Sequence, residues 1–128
     1  MNIEEAREYV LKLPWVTEDM PFGPDVLTFR VGGKIFMAIG LNAEEPKITV
    51  KLEPDFAEVL REHYDGVRPA FHWNKKHWSD ICLEQVDDKQ VKDWIQRAYN
   101  LVFSKLPKKV REEYDKKNSS IDTHGLSC

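Results

Sequence analysis

The sequence has no long apolar run. Its longest stretch without a charged residue extends from Ile35 to Ala43, far short of the ~20 apolar residues a membrane helix needs. The first ten residues, MNIEEAREYV, carry acids where a secretory signal would carry a basic region and an apolar core. No membrane is therefore expected as a partner, and a cytoplasmic location is expected. Cysteine is scarce. Cys82 and Cys128 are the only two, so no zinc spacing exists, and two free thiols are expected. No glycine-rich phosphate loop and no GxSxG elbow occur. Excess positive charge is missing too. Nineteen Lys and Arg stand against 22 Asp and Glu, a formal net charge of −3. That excludes an indiscriminate polycation.

What is present fits one globular domain. The chain has 128 residues, 41% hydrophobic and 32% charged. Asn2 followed by Glu5 is a capping-box pattern, and Ile3, Ala6, Val10 and Leu13 recur at helical spacing before Pro14. The stretch TEDMPFGPD (17–25) is read as turn. Residues 26–31 and 34–41 are β-rich and flank Gly32-Gly33, a strong hairpin signal. Lys47–Lys51 alternates polar and apolar, as a strand with one wet face should. Pro54 suits the first turn of a second helix, which ends near Asp65-Gly66. Residues 67–83 are extended, as one or two strands. Asp87 or Asp88 is expected to cap a third helix with a wide apolar face, and Pro107 to start a short charged one. Strands in runs, without regular helical crossovers, predict an α+β two-layer sandwich, an antiparallel sheet with helices on one face. Residues 1–115 are expected to form the domain and 116–128 a disordered tail.

The densest chemical feature is GVRPAFHWNKKHW at 66–78. Arg68, Lys75 and Lys76 supply positive charge, with no acid in the segment. Phe71, Trp73 and Trp78 interleave with them, and His72, Asn74 and His77 add polar edges. Cations meet phosphates and aromatic rings stack on bases, so this mixture suits a nucleic-acid surface. The same residues also suit a strand-turn-strand with Trp78 anchored in the core. A secondary basic cluster, Lys105, Lys108, Lys109 and Arg111, follows the third helix, where the helix dipole favours cations. Residues 1–25 hold six carboxylates against two cations, so the charge is segregated along the chain. His72 and His77, five apart, share neither a helix face nor a strand face, and no metal is expected. His77 and Cys82 would lie roughly 16 Å apart on an extended strand, which argues against a nucleophilic pair. Tyr99 reads as a packing residue with a satisfied hydroxyl.

PFGPD at 21–25, VGGKIFM at 31–37, the Lys51–Pro54 step, HWNKKHW at 72–78 and AYNLVFSKLPKK at 98–109 together resemble the MmcQ/YjbR family of small bacterial proteins. The resemblance spans about residues 1–112, in order. It implies a CyaY-like, double-wing α/β sandwich and a family labelled DNA-binding, with no established enzymatic activity. The family's recurrent residues fall on Pro21, Phe22, Gly23, Lys34, Lys51, His72, Asn74, Lys75, His77 and Trp78. Where that family has Ser-Tyr in the last helix, this chain has Ala98-Tyr99. The resulting expectation is a non-catalytic, cofactor-free nucleic-acid-binding module whose DNA binding is weak and salt-sensitive. In it, Arg68, Lys75 and Lys76 hold phosphate while His72, Trp73, Asn74 and His77 line the site. The alternative is a module for a small ligand or a protein, with its pocket between the 21–25 loop and the 72–78 segment.

Overall fold

A computed structural model describes residues 1–116. The elements run α1 (Ile3–Leu11), β1 (Thr17–Asp19), β2 (Val26–Val31), β3 (Lys34–Gly40), β4 (Lys47–Lys51), α2 (Pro54–His63), β5 (Val67–Pro69), β6 (Trp78–Cys82) and α3 (Asp88–Ser104). A further helix, α4, occupies 108–116. Apart from Lys116, which is helical, the expected tail lies outside the described residues. So does Cys128. Cys82 is buried and free.

All six strands form one antiparallel sheet, in the order β1-β2-β3-β4-β6-β5. The α+β class is as the sequence predicts. Phe29, Met37 and Val50 align across β2, β3 and β4, and Ile39, Ile48, Ile81 and Val67 align across β3, β4, β6 and β5. These rows pack with Ala6 and Val10 of α1, Ala57 and Leu60 of α2, and Val91, Trp94, Ile95 and Ala98 of α3. Burial of such apolar area is the main source of stability here. A bulge after Phe29 shifts the β2–β3 register. It brings Phe36 as well as Met37 to the helix side, where the Phe36 ring meets Tyr99 edge-on at 5.5 Å.

Local signals act largely as read. Asn2 and Glu5 form the capping box of α1. Gly32 and Gly33 take φ of 58° and 80°, the left-handed conformation a two-residue hairpin needs. Tyr99 is buried, and its hydroxyl donates to the Pro14 carbonyl at 2.8 Å. Three details differ. Thr17–Asp19, read as turn, is an edge strand. Its pairing partner β2, not its own composition, makes it one. Asp87 stands at the N-cap of α3 without a side-chain cap bond, and Asp88 binds the N-terminal ammonium instead. Trp78 is half-buried and points away from the helices, because its partner Lys51 belongs to the opposite alternation from Val50. It does not anchor the helix-side core.

Candidate functional site on the open sheet face

The side of the sheet turned away from the helices carries a polar row. Asp19, Thr28, Ala38, Thr49, Asp80 and Arg68 are successive partners across all six strands. The row is stitched internally. The Thr28 hydroxyl donates to Asp19 and the Thr49 hydroxyl to Asp80 at 2.6 Å. Thr28 first, and then Arg30, hold the Asp19 carboxyl below the ordinary carboxylate range. Asp25 accepts from the Asn42 amide. Both carboxylates near the 21–25 loop are thus tied into the scaffold.

Two connections fold over this face from opposite edges of the sheet. Residues 20–25 join β1 to β2, and residues 70–77 join β5 to β6. Phe22 and Trp73 meet edge to face, with ring centroids 5.7 Å apart, and Trp73 lies against Trp78 at 4.5 Å. Phe22, Val26, His72 and Trp73 border a cavity of about 220 Å³. The 70–77 turn is rigid for local reasons. The Asn74 side chain accepts the Lys76 amide, and its carbonyl accepts the amides of His77 and Trp78. Arg61 of α2 donates through one nitrogen to the Lys75 carbonyl, the Trp78 carbonyl and the Ser79 hydroxyl. Arg61 has no sequence signal of this role.

The turn presents both charge and aromatic surface. Phe71 is 71% exposed and Phe22 62%, the two most exposed large apolar side chains among the described residues. The Lys75 ammonium lies 4.9 Å above the Phe71 ring. Lys75 and Lys76 are exposed, and neither makes a salt bridge among the described residues. His72 and Asn74 are exposed, while Trp73 and His77 are half-buried.

The sequence segment 66–78 does not behave as one charge cluster. Arg68 leaves the Lys75–Lys76 turn and pairs with Glu45 at 3.4 Å, beside a second cavity of about 350 Å³. Lys105, Lys108, Lys109 and Arg111 follow the end of α3 in the chain. Leu106, in their midst, packs onto Gly32 in the β2–β3 hairpin. There Lys108 pairs with Glu112, and Arg111 donates to the Leu106 carbonyl at the end of α3. Among the described residues no cluster of three or more His, Cys, Asp or Glu has metal-binding geometry. No described helix is long and apolar enough to cross a membrane.

The YjbR family model matches residues 11–101. The chain is 35% identical over 107 residues to the uncharacterized protein YbdF of Escherichia coli O157:H7, covering 83% of this chain and 88% of that one. It is 26% identical over 113 residues to the uncharacterized protein YjbR of Escherichia coli K12, covering 88% and 96%. Its fold is similar to the crystal structure of the Deinococcus radiodurans protein DR2400, a DUF419 domain. There the TM-score is 0.83 at 26% identity, over 89% of this chain and 88% of that one. A Pseudomonas syringae protein matches with TM-score 0.68 at 26% identity, over 79% and 98%. The chain belongs to the YjbR family.

Proposed function

We propose that this YjbR-family chain is a non-catalytic nucleic-acid-binding module that takes single strands across the turn 70–77. The observation that carries this is the exposed Phe71 ring beside Lys75 and Lys76, which make no salt bridge among the described residues. Aromatic faces free to stack need unstacked bases, which a duplex does not offer. Phe22, held against Trp73 from the opposite sheet edge, adds a second exposed ring. Lys75 and Lys76 meet phosphate, Phe71 stacks, Trp73 backs the exposed Phe22 ring, and His72 and His77 reach sugar or base edges. Asn74 contributes mainly by fixing the turn, since its side-chain oxygen is engaged there. With two exposed cations on the turn, binding is weak and easily reversed by salt.

Titration of a fluorescein-labelled oligothymidylate, followed by anisotropy at low salt, tests this. Micromolar binding that salt weakens, with a matched duplex bound less tightly, is the expected result. Duplex preferred over single strand, or no binding at low salt, contradicts it. The 220 Å³ cavity favours a second reading, a small apolar ligand in the recess that Phe22, Val26, His72 and Trp73 border. In that case thermal stabilisation by a metabolite would appear without any strand binding.

A further inference from the structure

We propose that the cavity beside Phe71 reads guanine in the bound strand, through Glu45 and Arg68. The inference rests on the nucleic-acid reading above and adds base selectivity to it. Three observations carry it.

First, the cavity has the right position and size. It holds about 350 Å³, within the ~300–1,000 Å³ typical of small-ligand sites. Phe71, which supplies a stacking ring, also lines it, together with Glu45, Lys47, Arg68, Asp80 and Cys82. A base stacked on Phe71 therefore lies beside this cavity.

Second, a donor fork and an acceptor pair lie together at its mouth and are loosely held. Arg68 Nη1 and Glu45 Oε2 are 3.4 Å apart, and Arg68 Nε is 3.4 Å from the Asp65 carbonyl. The Cys82 thiol reaches Glu45 at 3.5 Å. Both Arg68 contacts are long for N–H···O hydrogen bonds, and a thiol is a weak donor. Both charged side chains are about half exposed, at 50% and 54%. Little is lost when a ligand takes over these bonds.

Third, the floor is already satisfied. Asp80 accepts from Thr49 at 2.6 Å and pairs with Lys47 at 3.5 Å. Of the charged groups left on the lining, Glu44, Glu45 and Arg68, the last two already face each other and so set a donor fork beside an acceptor pair. Guanine alone presents two adjacent donors, N1–H and N2–H, which a carboxylate accepts as a pair. It also presents the O6 and N7 acceptors that an arginine recognises. Cytosine and adenine each offer a single amino group, and thymine a single imide N–H.

The test compares labelled oligothymidylate with the same strand carrying one central guanine, adenine or cytosine. Wild type and Glu45→Gln are both used, because glutamine keeps the size of the side chain but replaces one acceptor by a donor. The guanine strand is expected to bind on the order of tenfold tighter than the others. In Glu45→Gln that advantage disappears, while oligothymidylate affinity stays within about twofold. Equal affinity for all four strands overturns the inference and leaves the strand-binding reading standing. If no strand binds, the strand-binding reading fails. The cavity is then judged by free GMP alone. Amide shifts at Phe71 and Glu45 that vanish in Glu45→Gln would support it, and silence would overturn it.

Discussion

Phe22 and Trp73 are 51 positions apart and leave the sheet from opposite edges, yet their rings meet at 5.7 Å and 87°. The contact closes an arch over the polar face of the sheet. It joins two loops into one aromatic surface.

Phe22→Ala should remove that edge-to-face contact with little effect on folding, because Phe22 is largely exposed. The expected loss of stability is about 0.5–1.5 kcal/mol. Urea unfolding measures it, and intrinsic fluorescence should change as Trp73 loses its cover. A loss far above that range would mean the arch supports the core.

Replacing both Lys75 and Lys76 by alanine should leave the fold intact, since both side chains are exposed and without salt bridges among the described residues. Two phosphate contacts at ~0.7 each predict that the slope of log affinity against log salt falls by about 1.4 for single strands. An unchanged slope would move the phosphate contacts elsewhere.

The hairpin glycines should differ. An alanine Cβ at Gly32 would lie 2.6 Å from Leu106 Cδ1, in addition to the positive φ. Gly33 has the positive φ but nothing within 4 Å. Gly33→Ala is expected to cost about 1–2 kcal/mol. Gly32→Ala should cost about 1–3 kcal/mol more, since Leu106 is buried and must shift. Equal midpoints in urea would contradict this packing.

Tyr99 predicts an alkaline limit. Burial pushes its hydroxyl up to about 12, from an ordinary value of 10.0. A raised folded pKa stabilises fully below the unfolded value, so the contribution persists to about pH 10. It is lost as pH rises toward 12. Tyr99→Phe should lose the bond to the Pro14 carbonyl, about 1 kcal/mol near neutral pH. It should also lose this part of the alkaline decline. Melting temperature followed from pH 9 to 12 separates the two, and parallel curves would argue against the assignment.

Much of the fold was legible because its signals are local. The Asn2–Glu5 box, the Gly32-Gly33 turn and the apolar face of α3 each act within a few residues, whereas Lys47–Lys51 forms its strand without the expected wet face, since Thr49 is buried too. Thr17–Asp19 was not legible, since three polar residues become a strand only through pairing with β2. The site was legible in its residues but not in its arrangement. Segment 66–78 looks acid-free along the chain, while Glu45 and Asp80 reach Arg68 and its cavity only through strand order. Nothing local connects Phe22 to Trp73, or Arg61 to the turn it holds.

The most direct test is amide chemical-shift mapping of the full chain during titration with oligothymidylate at low salt. Perturbations centred on residues 71–77 and on Phe22 are predicted, fading as salt is raised. Perturbations centred instead on the cavity that Phe56 of α2 lines with Arg97 of α3, or none at millimolar strand, would contradict the account.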